Sequence, residues 1–299
     1  MPSMKPAKSR TRVLLLTALA MIAFAGNSLL CRAALEHTGI DAASFTTIRL
    51  MSGAVMLWLV VRTRRGTHTG TGNWLSALAL FAYAAGFSFA YVSLPAASGA
   101  LLLFGAVQVT MIGHGMWVGE RLRRLQLVGL VLAFGGLVGL LLPGLSAPPL
   151  FGSIVMLGAG VAWGVYSLRG KGAGDPTRVT AGNFLRAVPI AAALSVFMLN
   201  RGSLDTAGLG YAVASGAVAS GIGYAIWYTA LPALKATHAA TVQLSVPVIA
   251  ALGGIVFLGE TMTLRLVFAS VAILGGIALV ILEKQLPEDA QAIVPTDRQ

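Results

Sequence analysis

Long apolar runs alternate with short polar or charged clusters along this 299-residue chain. A helix that crosses a bilayer needs about 20 mostly apolar residues. At that length the pattern predicts ten spans, near residues 13–33, 42–61, 73–93, 95–117, 124–142, 149–168, 178–199, 206–229, 236–258 and 264–282. Residues 73–119 carry no charge and are divided only by length and by Pro95, whereas PGLSAPP alone separates the fifth span from the sixth.

Composition supports a membrane protein, since 57% of residues are hydrophobic, 10% are charged and the mean hydropathy is +0.82. Residues 1–12 form a basic N-terminal segment, and we interpret the apolar run after them as a retained helix rather than a signal peptide because it is long enough to span. Residues 283–299 are polar without periodicity, so we predict a disordered cytoplasmic tail.

The net charge of +11 has a simpler explanation than nucleic-acid binding, because the basic residues form short clusters between apolar spans without interleaved aromatics. Short cytoplasmic loops are enriched in Lys and Arg. If the N-terminus is inside, the outer segments keep only Arg32, Arg201 and Arg265. We therefore predict a multi-pass protein of the bacterial inner membrane with both termini cytoplasmic.

Two halves of the sequence repeat one pattern. A shift of 137 positions places Tyr91 and Pro95 on Tyr228 and Pro232, and a shift of 140 aligns the two Gly-Glu pairs at 119–120 and 259–260. Each copy covers five spans, predicted as residues 13–142 and 149–282 with an outer linker at 143–148. Because five is odd, the second copy enters the membrane from the opposite side, so we predict an all-α membrane protein built from two inverted-topology repeats.

The phrases FTTIRL, LPALKATHAATVQLSVPVIAALGGIVFLGE and AILGGIALVIL resemble the EamA-type domains of the drug/metabolite transporter superfamily. The Trp-Gly of that pattern stands at Trp163-Gly164 in the second half, whereas the first half has Ala25-Gly26-Asn27. The resemblance covers nearly the whole chain and implies transport by alternating access. Among members, the chain is similar to bacterial exporters of aromatic amino acids.

Charged residues near the spans are few and occur at repeat-equivalent positions: Arg49 with Arg186, and Glu120 with Glu260. An ionisable side chain within the bilayer is energetically costly, so its presence usually indicates a structural or functional role. One interpretation is that each arginine holds its helix bundle together. The other is that they gate the protein or meet a substrate carboxylate, with Arg49–Glu260 and Arg186–Glu120 as two ion pairs that break in turn.

Aromatic and polar residues predict a cavity near the midplane. Tyr83, Phe87 and Tyr91 recur every fourth residue on span 3, and the alignment of the two repeats matches Phe87 with Tyr224. The candidate cavity residues are Asn27, Tyr83, Phe87, Gln108, Trp163, Tyr166, Tyr224, Gln243 and Ser245. Plain helix packing and inter-helix hydrogen bonds remain the alternative for all of them. The GxxxG pairs Gly135/Gly139 and Gly160/Gly164 predict close helix contacts.

The sequence lacks the residues that ATP binding, catalysis and metal binding would need. GTHTGTG at 66–72 has no lysine for a phosphate-binding loop, so no ATPase partner is implied. No cluster of His, Asp or Glu at membrane depth supports an enzyme or a metal site, and we expect no cofactor.

We predict an exporter of neutral or aromatic amino acids and related small metabolites that acts as a facilitator or exchanger, because no Asp or Glu lies within a span. The partners expected are a small-molecule substrate and the lipid bilayer. The alternatives are a transporter of anionic phosphorylated metabolites and a proton-coupled drug exporter, and a channel or receptor stays open.

Overall fold

Helices form nearly all of the computed structural model, which describes residues 10–64, 69–119, 122–144, 147–170, 172–234 and 236–283. Glu120, two residues of the linker at 143–148 and most of the segments 1–12 and 283–299 lie outside the described residues. Within the described part, ten helices are long and apolar enough to cross a membrane. The fold class predicted from the sequence is confirmed.

Spans 1 to 7 are each a single helix: span 1 Arg10–His37, span 2 Ala42–Thr63, span 3 Trp74–Tyr91, span 4 Ala96–Trp117, span 5 Arg124–Leu141, span 6 Leu150–Gly170 and span 7 Pro176–Phe197. Span 8 joins Thr206–Val213, a π-helical segment Ala214–Ile222 and Gly223–Ala230. Span 9 consists of Ala236–Gln243 and Ser245–Leu258, and span 10 is Leu264–Glu283.

Polar residues at the loop ends set where helices begin. Asp41, Asn73, Asp175 and Asp205 each accept hydrogen bonds from the first free backbone N–H groups of the helix that follows. Partial burial would raise the pKa of Asp41, but hydrogen bonds from Ser44, Ser203 and Ala43 outweigh it and hold that pKa below its ordinary value.

The duplicated Gly-Glu pair marks a helix end. Gly259 follows the last residue of span 9 with φ 65°, and Gly119 follows span 4 with φ 96°. A left-handed residue after a helix is favoured as glycine because it has no Cβ. Both halves therefore have the same helix-terminating glycine, followed in the sequence by a glutamate.

The spans pack as two halves related by exchange. Span 1 packs on spans 8 and 9, and span 6 packs on spans 3 and 4, which are their repeat equivalents. Span 2 contacts span 8, and its repeat equivalent, span 7, contacts span 3 in the same way. Three further pairs of equivalent spans pack against each other across the halves: 2 and 7, 4 and 9, and 5 and 10. An inverted repeat requires this pattern, because each half must offer the other the same surfaces.

Glycines allow spans 5 and 10 to pack closely, but these glycines are not the ones predicted from the GxxxG motif. A Cβ at Gly129 would lie 2.5 Å from the Gly276 carbonyl oxygen, and one at Gly136 would lie 2.7 Å from the Ala272 Cβ. Gly135 and Gly139 face open space, so that GxxxG prediction is wrong. The pair Gly160/Gly164 does pack closely, with Cβ positions 2.6 and 2.7 Å from Ala106 and Thr110 of span 4.

Two interruptions in the second half have no counterpart in the sequence prediction. The π-helical segment in span 8 packs against spans 1 and 2, where a Cβ on Gly216 would meet the Arg49 backbone carbonyl. Span 9 breaks at Leu244, three residues before Pro247. Proline has no N–H and interrupts the hydrogen-bond ladder to the preceding turn, so the break lies where Pro247 leaves the Gln243 carbonyl without its usual donor.

We call the membrane side where span 1 begins the N-terminal face, and the other side the distal face. Because consecutive spans alternate in direction, the loops after spans 2, 4, 6 and 8 lie on the N-terminal face. The loops after spans 1, 3, 5, 7 and 9 lie on the distal face.

Candidate functional site

A cavity of about 510 Å³ lies between the two halves. Its wall includes residues of spans 1, 3, 4, 6, 7, 8 and 9, and it reaches Gly172 and Gly174 in the loop after span 6 and Leu231 after span 8. The cavity therefore extends to the N-terminal face. Small-molecule sites usually measure 300–1,000 Å³, so this volume suits one small metabolite.

Aromatic rings from both halves form one side of the wall. Trp163 stacks on Tyr224 with 5.5 Å between ring centroids and an interplanar angle of 18°, and lies 4.7 Å from Tyr83. Tyr166 also stacks on Trp163, with 5.2 Å between ring centroids. Phe24 of span 1 approaches Tyr224 at 5.6 Å. Such a cluster offers flat apolar faces to a bound molecule.

A chain of hydrogen bonds crosses from span 8 to span 2 through two residues of this wall. The Ser215 hydroxyl donates to Asn27 Oδ1 at 2.6 Å, and Asn27 Nδ2 donates to the Tyr83 hydroxyl at 3.5 Å. Arg49 Nη2 donates to the same hydroxyl at 2.9 Å. Asn27 and Tyr83 line the cavity, whereas Arg49 is buried against the rings of Tyr83 and Phe87.

The structure brings eight of the nine candidate cavity residues onto the wall: Asn27, Tyr83, Phe87, Gln108, Trp163, Tyr166, Tyr224 and Gln243. Ser245 is not among the wall residues. It follows the break at Leu244, and its hydroxyl donates back to the Val242 carbonyl at 2.7 Å. The interruption of span 9 separates Gln243 from Ser245.

The two arginines occupy different surroundings despite their equivalent positions. Arg186 donates to the Thr71 carbonyl at 2.7 Å and the Gly182 carbonyl at 3.0 Å, so it ties span 7 to the loop before span 3. Arg49 lies within the bundle and is 1% exposed. The expected pair Arg49–Glu260 is not formed, and Glu120, the expected partner of Arg186, lies outside the described residues.

Glu260 pairs with Arg32 instead. Its Oε1 lies 3.4 Å from Arg32 Nε, and both carboxylate oxygens accept from the Ala96 backbone N–H at 2.9 Å. Arg32 also donates to the carbonyls of Tyr91 and Val92 at 3.1 and 3.3 Å. We call these contacts the distal latch, because they join span 1, the end of span 3, the start of span 4 and the loop after span 9 at the distal face. Arg32, rather than Arg49, is the partner of Glu260 because Arg32 lies at the distal end of span 1.

Several wall residues were not identified from the sequence, among them Phe24, Thr180 and Trp227. Phe24 lies three positions before Asn27, on the same face of span 1, so helical spacing was a usable signal. Trp227 lies three positions after Tyr224 in the same way. Arg32 was assigned to the outer loop by charge counting, and only the packing of four elements shows its partners.

The described wall residues include no acidic side chain, no basic side chain and no histidine. Among the described residues, no group of three or more His, Cys, Asp or Glu side chains could hold a metal ion. The wall can therefore supply ring faces, amides and hydroxyls to a ligand.

The sequence pattern described as the EamA-like transporter family matches residues 11–142 and 150–282. The uncharacterized protein PA1977 of Pseudomonas aeruginosa is 59% identical over 271 residues, covering 90% of this chain and 94% of that protein. The threonine/homoserine exporter RhtA of Salmonella typhimurium is 36% identical over 161 residues, covering 51% of this chain and 53% of RhtA. A solved crystal structure with a TM-score of 0.65 and 20% identity covers 92% of this chain and 99% of its own, and shows the same fold.

Proposed function

The chain belongs to the EamA-like transporter family, and from that premise we propose that it exports neutral or aromatic amino acids, with related small metabolites, by alternating access. It is a membrane transporter and not an enzyme. The observation that carries the substrate proposal is the cavity wall, in which stacked aromatic rings and amides from both halves surround a volume of about 510 Å³.

The wall favours a neutral or zwitterionic substrate over a phosphorylated one. Proteins usually hold phosphate groups with Arg or Lys side chains or with helix N-termini. The described wall has no Arg or Lys, and Arg186 is engaged with backbone carbonyls. The similarity to RhtA, whose name states export of threonine and homoserine, agrees with a small amino-acid substrate.

The transport cycle follows from the repeat. In this structure the cavity reaches the N-terminal face, and the distal latch joins the two halves at the other side. Exchange of the two halves' conformations would open the distal face and close the N-terminal face at similar free energy. The Lys/Arg distribution supports an orientation in which the N-terminal face lies on the cytoplasmic side of a bacterial inner membrane. The described structure is then the state that loads from inside.

Flux into proteoliposomes tests this proposal. Labelled Phe, Trp, Leu, Thr and Glu are supplied outside, with and without a pH gradient and with or without unlabelled substrate inside. We expect neutral or aromatic amino acids to enter saturably, faster against an internal pool, and independently of the pH gradient. Competition by sugar phosphates, a requirement for the pH gradient, or no flux of any amino acid would each contradict the proposal.

A further inference from the structure

Arg49 brings a positive charge into the bundle, and no carboxylate of the described residues pairs with it. Its Nε and Nη1 have no hydrogen-bond partner among the described residues, and its one side-chain hydrogen bond runs from Nη2 to Tyr83. Arg32 and His37 form ion pairs with Glu36, and Arg32 also pairs with Glu260. The rings of Phe87 and Tyr83, 4.8 and 5.3 Å away, compensate part of this charge. A buried charge left otherwise unpaired favours an anion nearby.

The Tyr83 hydroxyl connects this charge to the cavity. It accepts from Arg49 and, at a longer distance, from Asn27, so both of its lone pairs are used and its own proton is left to donate. Donation from a hydroxyl that itself accepts from a guanidinium is strengthened, because the hydrogen bonds polarise one another. Tyr83 lines the cavity, which makes it a suitable donor to an anionic group bound there.

Ser220 provides a second hydroxyl at the equivalent position of the other half, since a shift of 137 places Tyr83 on Ser220. Ser220 lines the cavity and is 2% exposed, and its Oγ has no partner among the described residues. It lies in the π-helical segment of span 8, and such segments are frequent at functional sites. This unpartnered hydroxyl is independent of Arg49 and points to a ligand at the same cavity.

We propose that the cavity recognises the carboxylate of its substrate through the hydroxyls of Tyr83 and Ser220, with Arg49 as a positioning residue that acts through Tyr83. This inference rests on the proposed function and narrows its substrate class to compounds with a free carboxylate. An aromatic or aliphatic side chain of the substrate then lies along Trp163 and Tyr224. An amino-acid amide or the corresponding amine is a poor substrate.

The test compares ligands that differ only at the carboxylate. Uptake of an amino acid that the wild type transports is competed with the same unlabelled amino acid, its carboxamide and its decarboxylated amine. We expect the carboxamide and the amine to inhibit at least about tenfold more weakly than the acid. Tyr83→Phe keeps the ring, removes the hydroxyl and should abolish most of that preference, and Ser220→Ala should reduce it.

Tyr91→Phe is the matched control, because the Tyr91 hydroxyl donates to the Ala96 carbonyl near the distal face and does not line the cavity. It should keep the wild-type preference. Arg49→Lys and Arg49→Gln are compared only where both variants purify as folded protein, and Gln should lose more of the preference than Lys. Equal inhibition by acid and carboxamide in the wild type overturns the inference and leaves amino-acid transport standing, whereas no transported amino acid overturns the proposed function.

A small inorganic anion, instead of the substrate carboxylate, could supply the negative charge near Arg49. The same competition is therefore repeated with nitrate or sulfate in place of chloride. An unchanged preference for the acid supports the carboxylate, whereas transport that stops without chloride overturns the proposal.

Discussion

Trp163 touches aromatic rings from both halves of the protein, which makes it the most direct probe of the cavity wall at the residue scale. Replacement by alanine removes its ring contacts with Tyr83, Tyr166 and Tyr224 and the face that a substrate would stack on. Aromatic pairs contribute about 1 kcal/mol each, and about 1.4 kcal/mol is a tenfold change in binding.

We predict that Trp163→Ala raises KM for amino-acid uptake about tenfold or more, while Trp163→Phe, which keeps an aromatic face, loses less. Initial uptake rates over a range of substrate concentrations measure both variants. An unchanged KM in a folded Trp163→Ala variant would show that the aromatic wall does not contact the substrate.

Asp41 gives a pH-dependent prediction outside the membrane core. Its carboxylate caps span 2 through Ala43 and Ser44, and also accepts from the Ser203 N–H at 3.0 Å. Because the folded-state pKa is lowered, the stabilisation is present above the ordinary value of 3.8 and is lost as the pH falls through the folded pKa. Removal of a capping side chain costs about 1 kcal/mol.

We therefore expect Asp41→Ala to lower the melting temperature in detergent at pH 7, and the difference from wild type to shrink below pH 3.8. Asp41→Asn, which can still cap the helix, should lose less at pH 7. A difference between Asp41→Ala and wild type that stays constant down to the lowest pH would contradict the assigned role of the carboxylate.

At the residue scale, eight of the nine cavity residues predicted from the sequence line the wall, because the repeat and the four-residue spacing of Tyr83 and Phe87 are visible in the sequence. The position of Arg32 could not be predicted in the same way. Glu36 lies four residues later on the same helix, so that contact is local, but the other partners come from the end of span 3 and from Glu260 after span 9. Nothing local in the sequence specifies that Glu260 meets Arg32.

At the element scale, spans 5 and 10 depend on the direct approach of Gly129 and Gly276. A Cβ on Gly276 would collide with the Gly129 carbonyl and lie 2.7 Å from the Ala133 nitrogen, whereas Gly275 has open space around its Cβ position. These adjacent glycines form a matched pair within one helix. Overpacking a close contact costs about 1–3 kcal/mol.

We predict that Gly276→Ala lowers the melting temperature of the detergent-solubilised protein and that Gly275→Ala leaves it unchanged or raises it, because alanine is the better helix former. Fluorescence-detected thermal unfolding measures both. Equal effects of the two substitutions would contradict the packing of spans 5 and 10 described here.

Sequence patterns identified the spans and their ends but not which glycines touch. Gly135/Gly139 has the motif spacing and faces open space, whereas Gly129 and Gly136, seven residues apart, face span 10. The motif gives spacing on a helix, and the rotation of that helix depends on its neighbours. The π-helical segment of span 8 has no local sequence signature for the same reason, since its form is favoured by packing against spans 1 and 2.

At the scale of the whole molecule, alternating access requires that one cavity be open in turn to each of the two faces. Two carboxylates contact Arg32 at the distal face: Glu36, at 2.6 Å and on the same helix, and Glu260, which joins the two halves. Only loss of Glu260 should therefore loosen the distal latch. A partly buried hydrogen bond between charged groups contributes about 1.5–3 kcal/mol, enough to shift a two-state population about tenfold or more.

Cys31 reports the opening of the distal face without any engineered thiol, because it is the only cysteine of the chain. It is buried in the described state and lies four positions after Asn27, on the same face of span 1. A path that opens from the distal face to the cavity should therefore expose it.

The decisive measurement is the rate at which a membrane-impermeant maleimide modifies Cys31 when the reagent is added to one side of the membrane at a time. We expect slow modification of the wild type, about tenfold faster modification of Glu260→Gln from the distal side only, and a wild-type rate for Glu36→Gln. If Glu260→Gln reacts no faster than the wild type, or if Glu36→Gln reacts equally fast, the distal latch does not hold the closed state.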